Sequence, residues 1–193
     1  MVFEGTLTQD DEDPGDYYEI YRPTQITPAP HILTLKNSYP ETVRNALLAS
    51  FPLVWIDRPA TAVRLRVTLE RLMDAQGIEG QQKDRNGVLQ LSSKGRPKPR
   101  PLETRLEEFA KRGSAERRLR KIMDSVKWLG NQSAHDVQEI GEEALFHGFY
   151  ILEATLDYLY EGMQIDPIID YYSQKVDVFH HPERQATWPI LVQ

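Results

Sequence analysis

Residues 138–160 read QEIGEEALFHGFYILEATLDYLY, and this stretch decides the fold class. Its apolar side chains recur every three or four residues, which is the spacing of one buried face of an α-helix. The residues on that face are Ile140, Ala144, Leu145, Gly148, Ile151, Leu152, Leu156 and Leu159. We expect a long amphipathic helix that ends at Gly162, because glycine readily adopts the left-handed conformation that closes a helix.

Four earlier segments show the same helical spacing. They run over about 38–51, 59–75, 102–110 and 114–129, and prolines or glycines separate them. No stretch alternates apolar and polar residues convincingly for a sheet, although residues 176–179 and the N-terminal arm are candidates for one strand pair. The sequence therefore predicts an all-α fold, a bundle of about five helices.

The predicted helical domain occupies residues 38–161. Residues 1–37 precede it as an acidic, proline-containing N-terminal arm, and residues 162–193 follow it as an irregular C-terminal extension. Within the domain, residues 78–101 are rich in glycine, proline, lysine and arginine, so we expect a mobile basic loop there. We detect no internal repeat.

Length and composition bound the class of protein. The chain has 193 residues, a net charge of −6 and no cysteine. A chain of this length buries enough surface to fold without a metal or a disulfide. The lack of cysteine excludes disulfides and thiolate metal sites, and no apolar run reaches the length of a membrane span. These features predict a soluble cytoplasmic protein that does not associate with a membrane.

Charge is strongly segregated along the chain. Residues 1–30 carry seven acidic residues and one arginine, whereas residues 83–121 carry thirteen basic residues and five acidic ones. A basic tract of this kind attracts phosphates. The candidate nucleic-acid-binding residues are Arg96, Lys98, Arg100, Arg117 and Arg118. A solvated surface loop, or association with the acidic arm, explains the same charges, and few aromatic side chains are interleaved for base stacking.

The stretch Lys127-Trp-Leu-Gly-Asn-Gln-Ser-Ala-His-Asp136 carries the candidate chemistry. Gly130 and Asn131 readily leave the right-handed helix, so we expect a turn between two helices here. His135 then lies at the start of the last helix, and its near-neutral pKa suits acid–base chemistry, with Asn131 or Lys127 beside it. In the alternative interpretation Asp136 caps the next helix and His135 is only its neighbour.

Other catalytic and metal signatures are missing from the sequence. Of the five histidines, no two are spaced four residues apart, which is the spacing that places two metal ligands on one helix face. We predict no metal site and no cofactor. Arg66 and Glu70 are four residues apart on a predicted helix, and we expect them to form a structural ion pair.

Three segments together resemble a known family. They are Arg66-Val-Thr-Leu-Glu70, Leu102-Glu-Thr-Arg105-Leu, and Gly130-Asn-Gln-Ser-Ala-His135 before the long helix. These are similar to the prokaryotic domain of unknown function 4145, which itself resembles the HEPN (higher eukaryotes and prokaryotes nucleotide-binding) helical domains. The resemblance covers roughly residues 38–161.

The resemblance implies a helical, dimeric domain found in genome-defence settings. HEPN ribonucleases pair an arginine and a histidine across a dimer and cleave RNA without a metal. Carried over, His135 is the general acid or base and Asn131 matches the polar residue after the catalytic arginine. Gly130 occupies the place of that arginine. The nearest cation is Lys127, whose ammonium cannot reproduce the bidentate grip of a guanidinium on phosphate.

Three functions follow as hypotheses. The leading one is a non-catalytic or weakly catalytic interaction module of a prokaryotic defence or nucleic-acid-processing system, acting as a homodimer or in a hetero-complex with a defence-system protein, with RNA as a possible ligand. The alternative is a metal-independent endoribonuclease in which His135, Lys127 and Asn131 act on RNA. A second alternative is a nucleotide or small-anion binding domain that uses the entrance of the last helix.

Overall fold

The computed structural model describes residues 2–10, 18–135 and 140–164, and within them the chain is mostly helical. The elements are β1 Val2–Asp10, β2 Tyr18–Thr27, α1 Glu41–Leu48, α2 Leu53–Ile56, α3 Arg58–Ala75, α4 Leu102–Ala110, α5 Ser114–His135 and α6 Glu142–Glu161. Helix α2 is a single turn, so five longer helices form the described bundle. The predicted all-α bundle of about five helices is confirmed.

Helix α3 lies at the centre of the bundle, where it contacts α1, α2, α4, α5 and α6. It begins at Asp57, whose carboxylate accepts a hydrogen bond from the backbone N–H of Ala60 at 2.8 Å. Its apolar face is fully buried through Leu65, Leu69 and Leu72. Because the other helices pack around α3, it is the central element against which they are positioned.

Helix α6 is the helix predicted from the opening stretch, and its boundaries show what the sequence encodes. It ends at Gly162, which has φ 67° and a left-handed conformation, as predicted. It begins at Glu142, later than the predicted start, because Gly141 at the N-cap has extended backbone and the preceding Ile140 is buried in the core outside the helix.

The segment before α1 is attached to the last turns of α6. The phenol of Tyr39 donates a hydrogen bond to Asp157 at 2.6 Å, and the ammonium of Lys36 forms an ion pair with the same carboxylate. Ser38 also donates to Glu161. Tyr39 is almost completely buried, so this contact closes one end of the bundle.

The N-terminal arm contains an antiparallel strand pair. Strands β1 and β2 pair from Val2 opposite Thr27 to Asp10 opposite Tyr18, with a register shift between Glu4 and Gly5. Strand β2 contacts α2. The arm therefore pairs with itself, and residues 176–179, the predicted partner strand, lie outside the described residues.

Residues 80–100, which we name the turn element, have regular backbone hydrogen bonds where the sequence predicted a mobile loop. Gln82 donates to the carbonyl of Lys98, Lys98 to that of Gln90, and Gln90 to that of Gln82, so three short strands close a ring. Positions 82, 90 and 98 are eight residues apart. The prediction of no internal repeat was wrong in this segment, because the repeat is one of backbone geometry and few of its side chains are shared.

The two turns between these strands have the same construction. Asp84 Oδ1 accepts the backbone N–H of Val88 at 2.9 Å, and Ser92 Oγ accepts that of Arg96 at 3.2 Å. Glycine completes each turn with a positive φ, 80° at Gly87 and 72° at Gly95. Each turn is therefore specified by one capping side chain and one glycine.

The prolines of the third strand fit this ladder. Pro97 is bridged to Leu91, and Pro99 to Gln81. The ladder bonds around them come from the flanking residues 92, 96, 98 and 100, so the prolines occupy positions where no N–H is required.

Candidate functional site

The predicted turn at Gly130 and Asn131 is wrong: both residues lie inside α5, which continues to His135. Gly130 is buried where α5 crosses α3. A Cβ added to it would lie 2.5 Å from Cβ of Arg66 and 3.0 Å from the carbonyl oxygen of Ala62. The glycine is therefore needed to let two helix backbones approach closely, and it does not change the direction of the chain.

The helical path of α5 aligns the three candidate catalytic residues. Lys127, Asn131 and His135 are separated by four residues each, which places them along one stripe of the helix. From Lys127 to His135 the backbone rises about 12 Å and turns by about 80°. Asn131 is half-buried, and the side chain of His135 lies outside the part of the chain that the structure describes.

The ammonium of Lys127 is held by two carboxylates. It donates to Glu103 of α4 and to Asp124 of its own helix, the latter at 3.1 Å. Arg120 also donates to Glu103 and lies 3.5 Å from Asp124. These four side chains, which we name the α4–α5 charge cluster, tie the two helices together with alternating charges.

Burial shifts the proton affinities within this cluster. Burial raises the pKa of Asp124, with Arg120 acting to lower it and Glu107 to raise it. Burial also lowers the pKa of Lys127, and the nearby charge of Arg66 lowers it further. The side chain of Lys127 is only 13% exposed, so its charge has little access to an external phosphate.

Arg66 and Glu70 form the predicted ion pair, with 3.6 Å between the guanidinium nitrogen and the carboxylate oxygen. Both side chains are about one third exposed, so this contact contributes little to stability. Arg66 contributes more through packing, because its Cβ lies directly against Gly130 at the helix crossing.

Arg105 is a structural residue that our sequence analysis did not single out as a site residue. Its guanidinium is almost fully buried and donates to Asp74 at 2.6 Å and to the carbonyl of Ile78 at 2.9 Å. This contact anchors α4 to the end of α3 and to the start of the turn element. The available signal was its position on the apolar stripe of α4, beside Leu102, Leu106 and Phe109.

The five candidate nucleic-acid-binding residues divide into two groups. Arg96 and Lys98 are exposed on the turn element, whereas Arg100 pairs with Glu108 of α4 at 2.6 Å. Arg117 is exposed and Arg118 is half-buried in the first turns of α5. Of these candidates, Arg96 and Lys98 on the turn element and Arg117 on α5 are thus exposed.

This architecture defines a small helical-bundle domain with a polar stripe on α5 and a basic turn element. Residues 50–181 match the family model described as Domain of unknown function (DUF4145), which is more than half of the chain, and the chain belongs to this family. No curated protein and no solved structure matches it. Within the described residues, none of the helices has the length and apolar character of a membrane span.

Proposed function

We propose that this chain is a non-catalytic, HEPN-like interaction module of a prokaryotic defence or nucleic-acid-processing system that acts as a homodimer or in a hetero-complex. The observation that carries the proposal is the internal use of the candidate motif. Gly130 serves the crossing of α3 and α5, and Lys127 serves the α4–α5 charge cluster. Because Gly130 and Lys127 make contacts within the fold, few groups of the motif remain to act on a substrate.

Exposed apolar side chains on the two crossing helices support the association. Val63 of α3 is 39% exposed, and Trp128 of α5 is 45% exposed. Large apolar side chains in such positions are common in the centre of protein interfaces, where tryptophan is enriched. We therefore place the partner contact at Val63 and Trp128.

Sedimentation velocity of the full chain tests this proposal. We expect a dimer that dissociates in Val63→Ser/Trp128→Ser. Tyr150→Ser is the matched control, because Tyr150 is a similarly exposed aromatic residue on a different helix, α6. A wild-type chain that stays monomeric at its highest soluble concentration, or a dimer that ignores the double substitution, contradicts the proposed surface.

The endoribonuclease hypothesis gives the opposite result in a direct assay. Single-stranded RNA is incubated with the protein in EDTA, and we expect no cleavage. Products with 2′,3′-cyclic phosphate ends that disappear in both His135→Ala and Lys127→Met, but persist in Lys121→Met, would replace the interaction module with an enzyme. Lys121 is an exposed lysine of the same helix, so it controls for the loss of one charge.

The charges at the entrance of α6 favour the nucleotide-binding hypothesis less. The positive end of that helix is already occupied by two carboxylates, Glu142 and Glu143, and Glu142 pairs with Arg58 at 3.1 Å. An anionic ligand would be repelled there, so this hypothesis carries less support than the interaction module.

A further inference from the structure

The turn element differs from the rest of the chain in how it is held together. Its three strands are ordered by backbone hydrogen bonds and by the two capped turns, whereas its apolar side chains stay in solvent. Val88 is 61% exposed and Leu91 is 55% exposed. An ordered segment that buries so little apolar surface does not add to the core. We therefore infer that its ordered backbone holds exposed side chains in position for a ligand.

The side chains that it presents are mainly basic. Residues 80–100 contain six basic residues and one acidic residue, whereas the whole chain has a net charge of −6. Arg85, Lys94, Arg96 and Lys98 are exposed. Among the described residues they have no ion-pair partner, in contrast to Lys83 and Arg100, which pair with Glu79 and Glu108. Four unneutralised cations therefore lie on one small scaffold.

The geometry of the element points to a regular polyanion. Arg96 and Lys98 are two residues apart on a strand, so they share one face at a spacing of about 6.6 Å. The phosphates of one strand of B-form DNA succeed one another by about 3.4 Å along the helix axis and are further apart along the winding backbone, so Arg96 and Lys98 can contact neighbouring phosphates of one strand. A pair of strands about 4.8 Å apart also fits the major groove of B-DNA, which is about 12 Å wide.

Single-stranded nucleic acid and duplex RNA fit less well. The turn element contains no aromatic residue on which an unpaired base could stack. The major groove of A-form RNA is deep and narrow, and side chains cannot read it. Exposed Leu and Val side chains instead suit contacts with thymine methyl groups in the DNA major groove.

We propose that the turn element binds double-stranded DNA, with one strand pair in the major groove and Arg85, Lys94, Arg96 and Lys98 on the phosphates. This binding site uses neither Val63 nor Trp128 and does not depend on the proposed dimer contact. It assigns DNA, a ligand that the interaction module alone does not specify. The four cations contact the DNA backbone, so most of the affinity does not depend on base sequence.

Fluorescence anisotropy with a labelled B-form DNA duplex tests the proposal. Four phosphate contacts predict that affinity falls about 100-fold between about 50 and 200 mM salt. In Arg96→Gln/Lys98→Gln two contacts remain, and the same change of salt lowers affinity only about tenfold. An RNA duplex of the same sequence and the separated single strands should bind at least about tenfold more weakly than the DNA duplex.

Arg64→Gln/Lys121→Gln is the matched control, because it removes the same two charges from exposed positions on α3 and α5. This control should keep the wild-type affinity and salt dependence, and circular dichroism should show that both variants are folded. The proposal is overturned by failure to bind DNA at low salt, by equal losses in the two double variants, or by RNA competing as well as DNA.

Discussion

Gly130→Ala is the sharpest test of the α3–α5 crossing. In an isolated helix this substitution is favourable by about 1 kcal/mol, because alanine has the higher helix propensity. In this structure the new Cβ would lie 2.5 Å from Cβ of Arg66 and 3.0 Å from the carbonyl oxygen of Ala62. Neither atom is the free end of a flexible side chain, so relief requires the helix backbones to separate.

The expected magnitude follows from these two opposing contributions. Overpacking a well-packed contact costs about 1–3 kcal/mol, and a contact against backbone belongs at the upper end of that range. After subtraction of the propensity gain, we expect Gly130→Ala to lower the free energy of unfolding by about 1–2 kcal/mol. For a chain of this length, that corresponds to a fall in Tm of about 2–8 °C.

Urea denaturation followed by circular dichroism measures this change, with Gly148→Ala as the matched control. Gly148 also lies inside a helix at a packed position, but the nearest atom to its added Cβ is Cδ1 of Leu65 at 2.9 Å, the far end of a side chain that can rotate. We expect Gly148→Ala to stay within about 1 kcal/mol of the wild type. A Gly130→Ala variant that is as stable as the wild type would falsify the close crossing.

Two further predictions concern buried polar groups. Arg105→Ala should lower the free energy of unfolding by about 2–3 kcal/mol in urea denaturation, since it removes two hydrogen bonds of a buried guanidinium. Arg71→Ala, which removes an exposed partner of the same Asp74, should cost less than about 1 kcal/mol, and equal losses would contradict the anchoring role. Burial, together with the hydrogen bond to Asp157, raises the pKa of Tyr39. The unfolded chain therefore loses this proton first, and stability should fall above about pH 10 by up to about 1.4 kcal/mol per pH unit. Denaturation of Tyr39→Phe across this range should show a shallower decline, and an identical slope would refute the assignment.

The helices could be predicted from sequence because each is encoded by its own residues. The apolar spacing of α6 and the left-handed Gly162 are local features, and both were confirmed by the structure. The beginning of α6 was less certain, because Ile140 is buried like a helical residue although it lies outside the helix.

Gly130 shows why the candidate site was harder to predict. A glycine followed by asparagine is typical of a helix end, and only the opposing backbone of α3 explains why it lies inside a helix here. That information belongs to residues far away in the sequence. Lys127 is similar, because its partner Glu103 lies on another helix. The sequence therefore identified Gly130 and Lys127 as notable residues, but it did not predict which residues they contact.

The turn element was missed for a different reason. Its strands are too short for a period of two to be detected, and its glycines and prolines are typical of an unstructured linker. Its regularity lies in the eight-residue spacing of the capped turns that end at Gly87 and Gly95. A search for repeated turn residues would have found it.

The two prolines of the third strand have a consequence for the behaviour of the protein in a crowded cell. Pro97 and Pro99 have no N–H, and the N–H of Lys98 between them already donates to Gln90, so this strand has no hydrogen-bond donor left for another chain, only carbonyl acceptors. A neighbouring chain needs both kinds of group to extend a β-ladder. The turn element can therefore stay exposed on the surface without growing into a β-ladder between copies of this protein.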